Sequence, residues 1–167
     1  MSLLIRAARP EDALDVARVH VRAWQVGYRG LLPDEYLNSL RPEERAARYA
    51  FADPNADRPF TIVAVAQGSI AGFATTLQSS DVPHYGEVGA LYVDPDRWRQ
   101  GVGQALIARA REHLAQRFEQ AALWVLEGNS LASCFYLRDG WICDDVWREE
   151  IRSGARMRSV RWSRRLR

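Results

Sequence analysis

The chain of 167 residues contains no lysine, so all 23 of its basic side chains are arginine. A Walker phosphate loop needs a lysine after its glycine, so that loop and any lysine-based Schiff-base chemistry are excluded. Cysteine is scarce. Cys134 and Cys143 cannot make a metal-binding set by themselves, so no metal is expected, and they read as free thiols of a cytosolic chain. No uninterrupted apolar stretch is long enough to span a membrane. The start, Met1-Ser2-Leu3-Leu4-Ile5-Arg6, lacks the apolar run of a signal peptide, which makes a cytoplasmic location the expectation. A net charge of +2 gives no general attraction to nucleic acid. The one basic concentration, Arg156, Arg158, Arg161, Arg164, Arg165 and Arg167, reads as a solvated strand edge and tail. A nucleic-acid module built on it would bind with strong salt dependence, but no base-reading motif stands behind it.

The length suits a single domain, residues 1–167, able to bury a core without disulfides or metal. Leu3 to Ala7 reads as a first strand, followed by Pro10-Glu11-Asp12 in the first turn of a helix. That helix carries Leu14, Ala17, Val21, Trp24 and Tyr28 as an apolar stripe. Two short helical segments follow, one around Pro33 to Leu40 and one from Pro42. A β-hairpin spans Phe60–Ala66 and Ile70–Leu77 around Gly68-Ser69. Gly86 to Val93 is the next strand, Gly101 to about Arg117 a helix, and Ala121 to Leu126 a strand. Ser130 to about Arg138 is a helix capped by Asn129 and stopped at Gly140. A last hairpin, Trp141–Glu150 and Arg156–Trp162, turns at Ser153-Gly154. This order predicts an α/β chain with one mixed sheet and helices on both faces.

The most specific stretch is Arg99-Gln100-Gly101-Val102-Gly103-Gln104, a glycine-punctuated loop between the strand ending Leu91-Tyr92-Val93 and an apolar ridge at Val102, Leu106, Ala110, Leu114 and Phe118. The first N–H groups of a helix have no intrahelical partner and sit at the positive end of its dipole, which suits a phosphate. Side chains at Gly101 or Gly103 would hold the phosphate off or forbid the loop's dihedrals. The dinucleotide fingerprint is not met, because it needs a third glycine and a later acid.

Leu91-Tyr92-Val93-Asp94-Pro95 with Arg99-Gln100-Gly101-Val102-Gly103-Gln104-Ala105-Leu106 resembles motif A of the GNAT acyl-CoA N-acyltransferases. Leu123-Trp124-Val125-Leu126, then Asn129, Ala132, Phe135, Tyr136 and Gly140-Trp141, resembles their motif B, in the family's order and at about its spacing. One position departs: Trp98 stands where the family has glutamine or arginine, with Arg99 a substitute contact beside it. The resemblance implies a mixed, mostly antiparallel sheet with helices on both faces, in which the strands equivalent to Gly86–Val93 and Ala121–Leu126 splay apart. The pantetheine arm of coenzyme A enters that gap like an added strand.

The resemblance further implies an N-acetyltransferase that moves an acetyl group from acetyl-CoA to a primary amine, by direct attack in a ternary complex. The expected partners are a small-molecule or peptide amine, with no nucleic acid and no membrane, and the chain itself is a monomer or a homodimer. Tyr136, at the motif B tyrosine, is assigned as the acid for the departing thiolate, with simple packing at a helix–sheet seam as its alternative. Glu87 is placed to take the amine's proton, against a solvated strand-start residue. His84 is incidental, and His20 and His113 lie on helices without a partner that suggests a site. Leu91, Tyr92 and Val93 line the cofactor arm, and a bulge at Leu91 or Tyr92 would aim an N–H at the thioester carbonyl. Arg99, Gln100, Gly101, Val102, Gly103 and Gln104 surround the pyrophosphate. Asn129 orients the arm or caps its helix. Trp24 and Tyr28 wall the acceptor pocket or pack in the core. A catalytically silent acyl-CoA sensor is the alternative function.

Overall fold

The computed structural model describes residues 2–167. Seven strands form one sheet in the order β1-β2-β3-β4-β5-β7-β6: β1 (Leu3–Ala7), β2 (Phe60–Ala66), β3 (Ser69–Gln78), β4 (Gly86–Val93), β5 (Gln120–Leu126), β6 (Ile142–Arg152) and β7 (Ala155–Arg165). Every neighbouring pair is antiparallel except β4 with β5. The helices are α1 (Ala13–Gly27), α2 (Asp34–Ser39), α3 (Pro42–Ala46), α4 (Val102–Ala115) and α5 (Ser130–Arg138).

Strand alternation sorts the core into two layers. Ile62, Ala64 and Ala66 of β2 meet Leu106, Ile107, Ala110 and Leu114 of α4 on one face. Val63, with Phe73 of β3, meets Val16 and Val19 of α1 on the other. Helices therefore cover both faces, as expected from the order of elements.

The β2–β3 and β6–β7 hairpins each close through two residues at positive φ, which matches the strand twist. Ser153 and Gly154 (φ 48° and 80°) are the predicted pair, whereas the first hairpin turns at Gln67-Gly68 (φ 52° and 77°), one residue earlier than predicted. The arginine-rich end also differs from expectation. It is no edge, because β7 extends to Arg165 and lies between β5 and β6. Its arginines face carboxylates on the flanking segments: Arg158 pairs with Glu127 at 2.8 Å, Arg161 with Asp144 at 2.8 Å, and Arg156 with Glu149.

Two irregularities shape the centre of the sheet. β4 pairs with β5 only at Gly86↔Ala121 and Glu87↔Ala122, then the two strands part, so residues 88–93 and 123–126 face each other across an open gap. β4 also bulges. Val88 pairs with Thr76 and Ala90 with Thr75, which leaves Gly89 as the extra residue. A bulge changes which face the preceding residues use. Ala90 and Tyr92 lie on the α1 face and Leu91 and Val93 on the α4 face; past Gly89, Val88 joins the α4 face, so Glu87 turns to the α1 face.

Candidate active site

On the α4 face, Gly101 is the N-cap of α4 in the left-handed region (φ 82°), with no side-chain capping bond. A Cβ there would meet nothing within 4 Å, so the glycine answers to backbone conformation alone. The first bond into the helix runs from the Ala105 N–H to the Gly101 carbonyl (3.1 Å). The amides of Val102, Gly103 and Gln104 therefore lack intrahelical acceptors, at the positive end of a 14-residue helix beside the β4–β5 gap. Gly103 has a packing reason of its own. It lies within the helix, and a Cβ there would sit 3.3 Å from the Phe135 ring, so the glycine lets α4 approach α5.

Trp98 is accounted for by packing. Its indole N–H donates to the Val93 carbonyl (2.8 Å), and its ring lies against Gly27 at the end of α1. It ties the loop to β4 and points no polar atom at the anion site. Arg99 beside it is exposed, at φ 61°. Gln100 donates to the Asp96 carbonyl (3.0 Å). Asn129 caps α5, its Oδ1 accepting from the Ala132 N–H (3.2 Å). Tyr136 on α5 is buried against Phe135 and Trp141. Burial holds its phenol well above the ordinary range, and Tyr92 and Asp139 push the same way, so it keeps its proton.

The α1 face carries a cavity of about 540 Å³. Glu87, Tyr92, Trp24 and Tyr28 all line it, which brings four of the expected site residues together. Glu87 is only 9% exposed. Its burial raises the carboxyl pKa, partly opposed by the Ser79 hydroxyl and the Arg148 guanidinium. Trp24 and Tyr28 meet edge to face at 4.9 Å and also pack on Leu37 and Met157, so they serve as wall and core at once. Tyr136 does not line the cavity. Its electrostatic link is to Tyr92, which does. β4 bulges at Gly89 and not at Leu91 or Tyr92, and the effect of the bulge is on Glu87.

His20, which has no evident partner in the sequence, belongs to this cavity. Its Nδ1 lies 3.0 Å from the Tyr49 hydroxyl, its ring stacks on Tyr92 at 4.7 Å, and its Nε2 is buried without a partner among the described residues. Burial, with Arg45 and Arg152 adding to it, lowers the pKa of the imidazole to about 3, so it is neutral at physiological pH. The spacing 20, 24, 28 along α1 and its C-cap was the available signal, three rings at helical spacing. His84 is exposed at a loop position (φ 67°).

The sequence profile of the acetyltransferase (GNAT) family matches residues 22–141, which spans motif A, the splayed strands and motif B together. The chain belongs to the acetyltransferase (GNAT) family. It is accordingly an acetyl-CoA-dependent N-acetyltransferase. It is 39% identical over 131 residues to the uncharacterized N-acetyltransferase YuaI of Bacillus subtilis, covering 75% of this chain and 72% of the relative. It is 24% identical to a spermidine N(1)-acetyltransferase of Thermoplasma acidophilum, over 87% of this chain and 92% of that one. The GNAT fold recurs in the crystal structure of the PaiA N-acetyltransferase of Thermoplasma acidophilum in complex with coenzyme A. That match has a TM-score of 0.77 at 20% identity and covers 99% of each chain. Among the described residues, no helix is long and apolar enough to cross a membrane.

Proposed function

We propose that this acetyltransferase binds acetyl-CoA with its pyrophosphate on the free amides of Val102, Gly103 and Gln104 and its pantetheine arm in the β4–β5 gap. Arg99, exposed beside the loop, supplies the side-chain contact that Trp98 does not. The Asn129 amide nitrogen, left over once Oδ1 caps α5, faces the arm. The acceptor amine enters the cavity on the other side of the sheet and attacks the thioester directly through the gap. Neither cysteine lines the cavity, which fits transfer without an acyl-enzyme.

Three tasks fall to residues already placed. Glu87 takes the proton of the attacking amine, directly or through water, and its raised pKa brings it nearer the working pH of a base. Backbone N–H groups on the splayed edge of β4 face the developing oxyanion. Tyr136, at the motif B tyrosine position, gives its proton to the departing thiolate. Each proton transfer contributes on the order of 10²- to 10⁴-fold. Holding amine and thioester together supplies the larger share, roughly 7–11 kcal/mol.

The observation that carries this reading is the Gly89 bulge, which turns a buried carboxylate into the cavity at the point where β4 and β5 part. A panel of primary amines with acetyl-CoA and thiol detection tests it; spermidine belongs in the panel because one relative is named for it. Thiol release that collapses in Glu87→Gln supports the assignment. Acetyl-CoA binding without release for any amine supports a silent sensor instead.

A further inference from the structure

The cavity that holds Glu87 has a charge imbalance. Five arginines line it, Arg45, Arg48, Arg58, Arg148 and Arg152, against three acids, Asp53, Glu87 and Glu150. Three of the five are matched: Arg58 lies 3.8 Å from Asp53, Arg152 is 2.8 Å from Glu150, and Arg148 is 2.9 Å from Asp81 while stacking over the Trp124 ring at 4.2 Å. Arg45 and Arg48 have no acidic partner among the described residues; Arg45 is half-buried, and Arg48 is exposed beside it. A guanidinium withdrawn from water without a counter-charge is costly, and a ligand that supplies the charge recovers that cost.

An independent observation comes from the cavity floor. His20 is 7% exposed, lines the cavity, and presents a buried Nε2 with no partner among the described residues. Arg45 on α3 and Arg152 at the tip of the β6–β7 hairpin both act on its ring, so positive potential from two sides of the rim reaches the floor. A polycation would meet this field unfavourably.

We propose that the acceptor is a primary amine that also carries an anionic group, a carboxylate or a phosphate, seated on Arg45 and Arg48 while the amine reaches Glu87. The guanidinium fork suits both oxyanions, and two adjacent forks on one short segment define an anionic subsite at the cavity mouth. The inference rests on the acetyl-transfer reading and adds the substrate class to it.

The test compares matched acceptors: phenylalanine with phenethylamine, phosphoethanolamine with ethanolamine, and spermidine as the polycationic probe. The measured quantities are kcat/KM from thiol release and, separately, calorimetric binding of each amine to the coenzyme A-saturated protein. The expected result is a preference for the anionic member of a pair on the order of 10- to 100-fold, the carboxylate or phosphate pair with the larger ratio naming the anion. In the double variant Arg45→Gln, Arg48→Gln the ratio falls towards one, while the thermal shift produced by acetyl-CoA, read on the opposite face, shows the fold intact. Equal use of both members, a preference for spermidine, or a ratio unchanged in the double variant overturns the inference. Binding of anionic amines that is lost in the double variant, with no thiol released from any amine, upholds the subsite and rejects acetyl transfer. Neither binding nor turnover of anionic amines rejects the subsite.

Discussion

Replacing Trp98 by phenylalanine separates a structural strut from a cofactor contact. The indole N–H donates to the Val93 carbonyl at 2.8 Å, and the ring lies on Gly27, so Trp98 joins the end of β4, the phosphate loop and the end of α1. Phenylalanine keeps most of the ring contact and removes the donor. Losing one neutral hydrogen bond of this kind costs about 1 kcal/mol. For a chain of 167 residues that corresponds to a fall in melting temperature of about 2–4 °C. Differential scanning fluorimetry with and without acetyl-CoA reads both quantities. Acetyl-CoA at 100 times its Kd stabilises by roughly 2.7 kcal/mol, a rise of roughly 5–10 °C, and this increment is expected to survive in Trp98→Phe. An unchanged melting temperature together with a lost increment would refute the reasoning and return Trp98 to the cofactor.

Tyr136→Phe should lower kcat while acetyl-CoA affinity stays close to wild type, because the hydroxyl acts on the leaving group; a steady-state comparison with calorimetric Kd values checks it. Glu87→Gln should lower kcat/KM by 10²- to 10⁴-fold and at the same time raise thermal stability at neutral pH. The sign follows from its raised pKa: the folded state favours the protonated carboxyl, so the stability this group contributes is full at acid pH and is lost as pH rises through the folded-state pKa. The melting advantage of Glu87→Gln is accordingly larger at pH 7 than at pH 4, and equal differences would contradict the assignment. His20 has the opposite sense. With its pKa lowered to about 3, it favours the folded state while neutral, so stability falls as pH drops below its ordinary value of 6.5 towards 3. His20→Gln should flatten that part of the pH–stability curve, as measured by urea unfolding at several pH values.

What could be read from the sequence was local. Gly101 at positive φ, Asn129 capping α5 and the Ser153-Gly154 turn each depend on a few adjacent residues, and all three were legible. The apolar runs gave strands 86–93 and 120–126 nearly to the residue, and the two glycine-bearing motifs gave the family. What escaped depends on pairing at a distance. Whether Glu87 faces solvent, core or cavity turns on Gly89 being skipped by Thr75 and Thr76 of the neighbouring strand, a register that no window around Glu87 contains. His20 becomes a cavity residue only because Tyr49, 29 positions away, and Tyr92 close around it. Trp98 departs from the motif, and the reason for it is a carbonyl on the preceding strand and a glycine on α1. The arginine run reads as an edge in sequence because composition does not say that β6 will lie outside β7.

The most direct test of the central claim is a crystal structure of the protein with coenzyme A bound. The account places the pyrophosphate within hydrogen-bonding distance of the Val102, Gly103 and Gln104 amides, with the thiol emerging through the β4–β5 gap between Tyr136 and the Glu87 cavity. A pyrophosphate bound elsewhere, or a thiol that opens away from that cavity, would contradict it.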